Sequence, residues 1–371
     1  MSAVPPIHLF EPSGFAGIFQ HACRLAQLLG DEGVEVVLHT GHHHERVAVE
    51  GIDICPCSWW PRDEARGPRR SATIATRFVT RTLPHLRRAV PRGGVLHVEG
   101  PAAAGMLTLT ALTSARLAGR RIVYSPHDAF SRHGHIDAWL QRRALRIPHA
   151  LVIHSEADVA TLGAAGVHAE FAPLIQLIPT PTAAQRQGWR DSWRVGDDDQ
   201  VVLFAGFIRP EKRLDLVIRS AASWRANRRL AVVGQDFGAW EECARLAQSL
   251  GVHVAARIGF VDLDEFAAAL VAADVVVAPH DRASQSGVLS VASQLGVPTV
   301  AAAVGGLGEL AQRTFAPGDV ADLTRALDAQ LAEGAGAPTP SVDEALAVRA
   351  HLDSYRRCVP QTTLVGMTPA P

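Results

Sequence analysis

Twice along this chain, short apolar runs alternate with stretches of helical spacing, and a break separates the two series. In the first series Ile7–Phe10, Val34–Leu38, Val95–Val98, Arg121–Tyr124 and Ala150–Ile153 read as strands. Ile18, Ala22, Leu25, Leu28 and Leu29 fall on one helical face before Gly30, and Ala102–Ala118 and Ile136–Arg146 also read as helices. After Leu177 the pattern stops. Ile178-Pro179-Thr180-Pro181-Thr182 and Gly196-Asp197-Asp198-Asp199 have the composition of a linker. The second series then gives strands at Val201–Ala205, Arg229–Val233, Val275–Ala278 and Thr299–Ala302. Helices are expected at Leu214–Trp224, Trp240–Leu250, Asp264–Ala273, Gly287–Leu295 and Asp322–Ala332. Strands separated by helices favour parallel sheets, because a parallel connection needs a crossover of a dozen residues or more.

The expected fold class is therefore α/β: two doubly wound, parallel-sheet, Rossmann-like domains facing across a cleft. Residues 1–178 form an N-terminal domain and 179–345 a C-terminal one. A helix and tail, 346–371, could pack back on the N-terminal domain. Ligands of such sheets bind outside the carboxyl ends of the strands.

Bulk properties narrow the function. A chain of 371 residues suits two ordinary domains, and a net charge of −1 argues against nucleic acid as the main partner. There is no apolar run of transmembrane length. Met1–Pro6 leads straight into a strand, with neither the basic nor the apolar region of a signal peptide, so a cytoplasmic location is expected. Five scattered cysteines give no disulfide framework, and Cys55-Pro56-Cys57 misses the redox spacing. Nothing nearby completes a metal site around His42-His43-His44, and a solvated loop is expected there.

Lys212 is the only lysine among 36 basic residues. It lies in Gly206-Phe207-Ile208-Arg209-Pro210-Glu211-Lys212-Arg213-Leu214-Asp215, a turn between a strand and a helix. A compact ammonium on a flexible stem serves as a point charge against phosphate where a planar guanidinium does not fit. Arg209 and Lys212, three apart, can project to one side beside a helix start, an arrangement suited to a diphosphate.

Three further segments sit at strand ends. Ser13-Gly14-Phe15-Ala16-Gly17 precedes a helix and could bring backbone N–H groups to an anion, or serve as a plain turn. In His280–Val288, residues Ser284, Ser286 and Gly287 can cap a helix and offer N–H donors to a phosphate. Gly305-Gly306-Leu307-Gly308-Glu309 permits a tight turn, with Glu309 placed to accept from ribose hydroxyls.

In this order and spacing the segments resemble the retaining glycosyltransferases of family 4, which have the GT-B fold. The likeness covers most of the chain and is strongest from Val201 to Glu309. Ala273-Asp274-Val275-Val276-Val277-Ala278-Pro279 and Gly296-Val297-Pro298-Thr299-Val300-Ala301 add to it, as do Ser125-Pro126-His127-Asp128 and Val152-Ile153-His154-Ser155.

The resemblance implies a metal-independent hexosyltransferase-type enzyme. It would move a sugar from a nucleoside-diphosphate sugar to an acceptor hydroxyl with retention, with the donor as substrate and no cofactor. Arg209 and Lys212 would hold the diphosphate, and Gly17 would approach the same phosphates. His127 would lie near the donor sugar, and Phe260 and Val261 would meet the base. Fixed cations would stabilise charge building on the departing phosphate.

Many members carry two glutamates eight residues apart. Here the second position aligns with Val291 and the first falls near Asp281–Ser284, and neither is glutamate. Ser286-Gly287-Val288 is similar to the subset with Ser-Gly-Val there. The alternative is an inactive GT-B protein that binds a ligand or activates a partner. His97, Glu99 and Asp128 are acceptor-side candidates, with a buried structural histidine an equal reading of His97. The acceptor could be a polysaccharide, a lipid-linked sugar or a natural-product hydroxyl. Ser58-Trp59-Trp60-Pro61-Arg62, followed by Arg69, Arg70, Arg77, Arg81, Arg87, Arg88 and Arg92, offers a peripheral contact with an anionic membrane; a solvated arginine-rich helix is the commoner outcome.

Overall fold

A computed structural model describes residues 4–46, 51–60, 67–100, 105–130, 134–334 and 342–359. The chain divides into two compact units, Met1–Gln176 with Asp343–Pro371, and Leu177–Val342.

The first unit holds a seven-stranded sheet: β1 (Ile7–Phe10), β2 (Val36–Gly41), β3 (Asp53–Ser58), β4 (Val95–Glu99), β5 (Arg121–Ser125), β6 (Ala150–Ile153) and β7 (Glu170–Phe171). Their order is β3-β2-β1-β4-β5-β6-β7, and each pairing is parallel. Ile7 stands opposite both Val36 and Val95, so the order reverses at β1. The helix Glu344–Cys358 belongs to this unit. Asp343 caps it through Leu346 N at 2.8 Å, Arg24 grips Glu344 with a fork of 2.7 and 2.8 Å, and Tyr355 is fully buried.

The second unit holds six parallel strands: β8 (Gln200–Ala205), β9 (Arg228–Gly234), β10 (Val254–Ile258), β11 (Val275–Ala278), β12 (Thr299–Ala302) and β13 (Arg313–Phe315). Their order, β10-β9-β8-β11-β12-β13, reverses between β8 and β11. Alternate residues feed opposite faces. Val202, Phe204, Leu230, Val232, Val275 and Val277 join one core; Val201, Leu203, Ala231, Val233 and Val276 join the other. Both faces are covered, which explains why these strands read as continuous apolar runs.

The linker expectation held only in part. Residues 178–181 lack regular structure, but Ala183–Trp193 is a helix. Thr182 and Gln185 form its capping box, a signal present in the sequence. Arg190 on this helix is buried and donates to three carbonyls, those of Ala272, Gly196 and Asp199.

Candidate functional site

In the second unit the turns after β8, β11 and β12 lock together at the point where strand order reverses. Gly206 closes β8 with its N–H on Val233 O at 2.9 Å and takes φ +96°, which favours glycine. Pro210–Lys212 is a single 3₁₀ turn, and Arg213, at φ +53°, begins the helix Leu214–Ala221. Arg213 forks onto Asp215 at 2.9 and 3.0 Å and reaches Asp281 at 2.7 Å. Those hydrogen bonds, to Asp215 first, push its pKa further up. Asp281 N donates to Glu211 O at 2.9 Å, and Gly306 N to Ser284 O at 3.1 Å. A Cβ on Gly305 would stand 1.8 Å from Ala283 O, so the glycine is required there by space as well as by its φ of +49°.

Against that frame, the predicted donor residues take distinct positions. Lys212 is half-buried, and its Nζ lies 3.7 Å from where a Cβ on Gly206 would stand, with a Val288 methyl at 3.0 Å from the same point. The ammonium, Gly206 and Val288 therefore share one locality. Arg209 is half-buried too, its guanidinium over the rings of Phe237 and Phe207 at 4.8 and 5.2 Å. Ser286 is buried and caps the helix Gly287–Gln294 by accepting from Leu289 N at 3.3 Å. Gly287 and Val288 open that helix. Glu309 ends a 3₁₀ turn, Gly305–Glu309, and is exposed. Phe260 is exposed just past β10, next to half-buried Val261. Val291 is buried in the apolar core behind the helix, so a side chain at its position is turned inward. A cavity of about 460 Å³ lies elsewhere in this unit, among Gln185, Trp189, Ala255 and Arg257. It contains none of the predicted groups, whereas the Lys212 ammonium lies beside Gly206 and Val288 at the strand ends, where sheets of this kind take ligands.

Arg213 and Asp281 were missed as a pair. The Arg-x-Asp spacing of Arg213 and Asp215 is visible in sequence, but the tie to Asp281 spans 68 positions.

In the first unit, the turn before the helix Ala16–Asp31 is held by two carboxylates that sequence reading overlooked. Buried Glu11 accepts from Ser13 N (2.9 Å), Gly14 N (2.7 Å), Thr40 Oγ1 (3.0 Å) and Ser13 Oγ. Glu45 accepts from Ala16 N at 2.7 Å and Gln20 Nε2 at 3.1 Å. Gly17 is inside the first helical turn.

His97 and Glu99 are fully buried at the end of β4. His97 pairs with Tyr355 Oη at 2.9 Å and Ser125 Oγ at 2.8 Å. His127 follows β5, with Nε2 2.9 Å from Glu99 Oε2. Burial pushes Glu99 up to about 8 and draws His127 down to about 3. His21 and His154 pack their rings edge-on and tilted against His127, at centroid distances of 5.0 and 4.8 Å. Asp128, half-buried, receives Gln141 Nε2 on its backbone carbonyl.

Of the run expected to be a solvated loop, His42 and His43 are exposed, but His44 is half-buried, with Nδ1 2.9 Å from Glu45 O and its ring 6.0 Å from that of Phe19. Trp59 and Trp60 pack against the first unit's core, and Arg77 lies over Trp59 at 4.1 Å. Pro61 and Arg62 lie outside the described residues. No helix among the described residues is long and apolar enough to cross a membrane.

Paired doubly wound sheets with polar turns at their strand ends define a two-Rossmann α/β protein. Comparison with known proteins narrows the class to the GT-B fold. The structure matches sucrose-phosphate synthase from Thermosynechococcus elongatus over 97% of this chain and 96% of that one, at 16% identity and a TM-score of 0.68. It matches the catalytic domain of starch synthase IV from Arabidopsis thaliana bound to ADP and acarbose over 96% and 100%, at 12% and 0.73. Anabaena Alr3699/HepE in complex with UDP and glucose matches over 97% of both chains, at 16% and 0.66. At such identities the likeness is one of fold. Residues 199–333 match the family model described as glycosyl transferases group 1. A D-inositol 3-phosphate glycosyltransferase of Mycobacteroides abscessus is 35% identical over 131 residues, 34% of this chain and 29% of its own length. The corresponding protein of Geodermatophilus obscurus is 35% identical over 142 residues, 34% of this chain and 31% of its own length. The matched stretch thus spans less than a third of these relatives.

Proposed function

We propose that this protein is a nucleotide-sugar-dependent glycosyltransferase of the retaining, hexosyl-transferring type, acting on an acceptor hydroxyl. The observation that carries the reading is the convergence of Lys212 Nζ, Gly206 and Val288, at the start of a Ser286-capped helix, where strand order reverses. Open parallel sheets take ligands at such points, and a lysine beside a helix N-terminus suits a diphosphate. The names of the relatives and the nucleotides in the similar structures support it.

In this reading Lys212 and Arg209 sit on the diphosphate. As the sugar leaves, charge grows on the β-phosphate oxygen, and the fixed ammonium and helix N–H groups stabilise it without reorganising. Phe260 and Val261 flank the base, and Glu309 accepts from the ribose. His127, buried against Glu99, is a candidate for a place near the donor sugar, to be tested apart from the phosphate pair.

A thermal-shift panel of UDP, GDP, ADP, CMP and dTDP sugars tests the reading. A ligand at about 100 times its Kd adds roughly 2.7 kcal/mol of apparent stability. One base should raise Tm selectively, and Lys212→Ala should remove that rise and lower turnover on the order of 10²–10³-fold. No shift with any member, or full turnover by Lys212→Ala, refutes it.

A further inference from the structure

The buried histidines of the first unit are arranged in a way that hydrogen bonding within the protein leaves incomplete. His21 Nδ1 lies 2.9 Å from the carbonyl of Ile175, and His154 Nδ1 lies 2.9 Å from that of Ala172. A carbonyl only accepts, so each Nδ1 carries the proton and each Nε2 carries a lone pair. Both Nε2 atoms are buried without a hydrogen-bond partner. Buried polar atoms are seldom left so. Glu99 Oε1 lies 3.2 Å from His97 Nε2, and Glu99 Oε2 faces His127 at 2.9 Å and His21 Nε2 at 3.9 Å. One nitrogen or oxygen each from His21, Glu99, His127 and His154 lies within 4.8 Å of the others. The four come from the helix Ala16–Asp31, the end of β4, and the turns after β5 and β6.

We infer that His21, His127, His154 and Glu99 form a closed zinc site in the first unit. Three imidazoles and one carboxylate match the ligand preferences of zinc, and structural zinc sites have four protein ligands. Ligating histidines commonly hold their other N–H on a carbonyl, as His21 and His154 do. The four side chains are at most 7% exposed, which leaves no open coordination position and assigns the ion to structure. Ligand atoms around tetrahedral zinc stand roughly 3.4 Å apart, so the widest separations close by about an ångström on binding. The site ties the first helix to three strand ends. An ion held this way takes His127 out of reach of the donor sugar, so the inference replaces that candidate role and leaves the reading of Arg209 and Lys212 unchanged.

A second grouping, His39, Cys55 and His85, lacks this signature. His39 Nε2 pairs with His8 at 3.0 Å, and His39 Nδ1 pairs with His85 Nε2 at 3.2 Å.

The test uses the full chain, free of any affinity tag, with His42→Ala and His43→Ala to remove the exposed pair. After dialysis against a weak chelator, elemental analysis should give one zinc per chain. The cobalt-substituted protein should show the intense visible bands of tetrahedral coordination. His21→Gln or His154→Gln should weaken zinc binding by more than the roughly 10–100-fold that loss of an outer hydrogen-bond partner costs. His85→Gln should leave it unchanged. Absence of retained zinc, or wild-type affinity in both ligand variants, overturns the inference and assigns the space to water. Should the variants fail to fold, the cobalt spectrum of the unaltered ligands decides: octahedral bands overturn the site, tetrahedral bands sustain it.

Discussion

Gly234→Ala should damage the second unit well beyond the usual effect of an added methyl. Gly234 ends β9 at φ +154°, and a Cβ there would stand 1.8 Å from Gly206 O and 2.6 Å from Gly206 C. Non-bonded heavy atoms settle about 3.5 Å apart or more, so the two backbones must part by more than ~1 Å. Three hydrogen bonds hold them together: Gly206 N to Val233 O at 2.9 Å, Ile208 N to Gln235 O at 2.8 Å, and Phe237 N to Ile208 O at 2.9 Å. At 0.5–1.5 kcal/mol each, their loss costs about 1.5–4.5 kcal/mol, and the strained φ adds about 1–3. The total, roughly 3–7 kcal/mol, is a large share of the 5–15 kcal/mol that holds a domain together. At about 2–4 °C per kcal/mol the melting temperature should fall by roughly 6–28 °C. The parting also moves the turn carrying Arg209 and Lys212, so nucleotide affinity should fall with it. Gly238→Ala is the control. Gly238 has φ +96° with nothing within 4 Å of its added Cβ, so only strain is felt, about 1–3 kcal/mol. Differential scanning fluorimetry of the two variants, with nucleotide titration, separates collision from strain. Equal melting temperatures would refute the reasoning.

Other consequences can be checked alongside. Ser286→Ala should cost about 1 kcal/mol by removing the acceptor for Leu289 N, and Ser286→Gly only a few tenths, read as urea midpoints. Lys212→Arg should bind nucleotide yet turn over slowly, because a planar fork cannot take the ammonium's place above Gly206; wild-type kcat would show that any cation serves. Asp236 sets a pH dependence. Burial raises its pKa, but N–H groups of Trp240, Ala239 and Gly238 outweigh this and leave it lowered. Its contribution is therefore present above the unfolded carboxyl value, about 3.9, and is lost as pH falls through the lower folded one. Asp236→Asn should flatten the acid limb of the stability curve, and an unchanged limb would exclude it.

Much of the fold was legible because parallel strands covered on both faces are continuous apolar runs bounded by turns. Val201–Ala205, Val275–Ala278 and Thr299–Ala302 were read at or within a residue of their bounds. Strands lacking such a run escaped: β3 contains Cys55-Pro56-Cys57, and β10 is largely exposed. The site was legible where chemistry is local, as at Ser286 and its cap. It was illegible where partners are distant in sequence. Arg213 with Asp281, Glu45 with Ala16, and the histidines gathered from four segments around Glu99 have no short-range pattern. Glu99 and His97 were read as acceptor-side groups because they end a strand; their neighbours come from the C-terminal helix and from positions 21, 127 and 154.

The proposed role of Gly17 meets a specific obstacle in Glu45. A helix N-terminus attracts anions through its unpaired N–H groups. At the helix Ala16–Asp31, Glu45 Oε1 already accepts from Ala16 N at 2.7 Å, and Glu45 N is itself fixed to Gly14 O at 2.7 Å. A phosphate approaching Gly17 would come within about one helical turn, roughly 5–7 Å, of that carboxylate. At 7 Å, two like unit charges repel by about 0.6–2.4 kcal/mol for effective dielectric constants of 80 to 20. Glu45→Gln keeps an oxygen for Ala16 N and removes the charge. If Gly17 meets a phosphate, nucleoside-diphosphate affinity should rise roughly 3- to 60-fold, with the gain shrinking as salt is added. Calorimetric titration at two ionic strengths measures this. Unchanged affinity at both would mean that Glu45 is this helix's resident anion and that Gly17 touches no phosphate, leaving the diphosphate to Arg209, Lys212 and the helix behind Ser286.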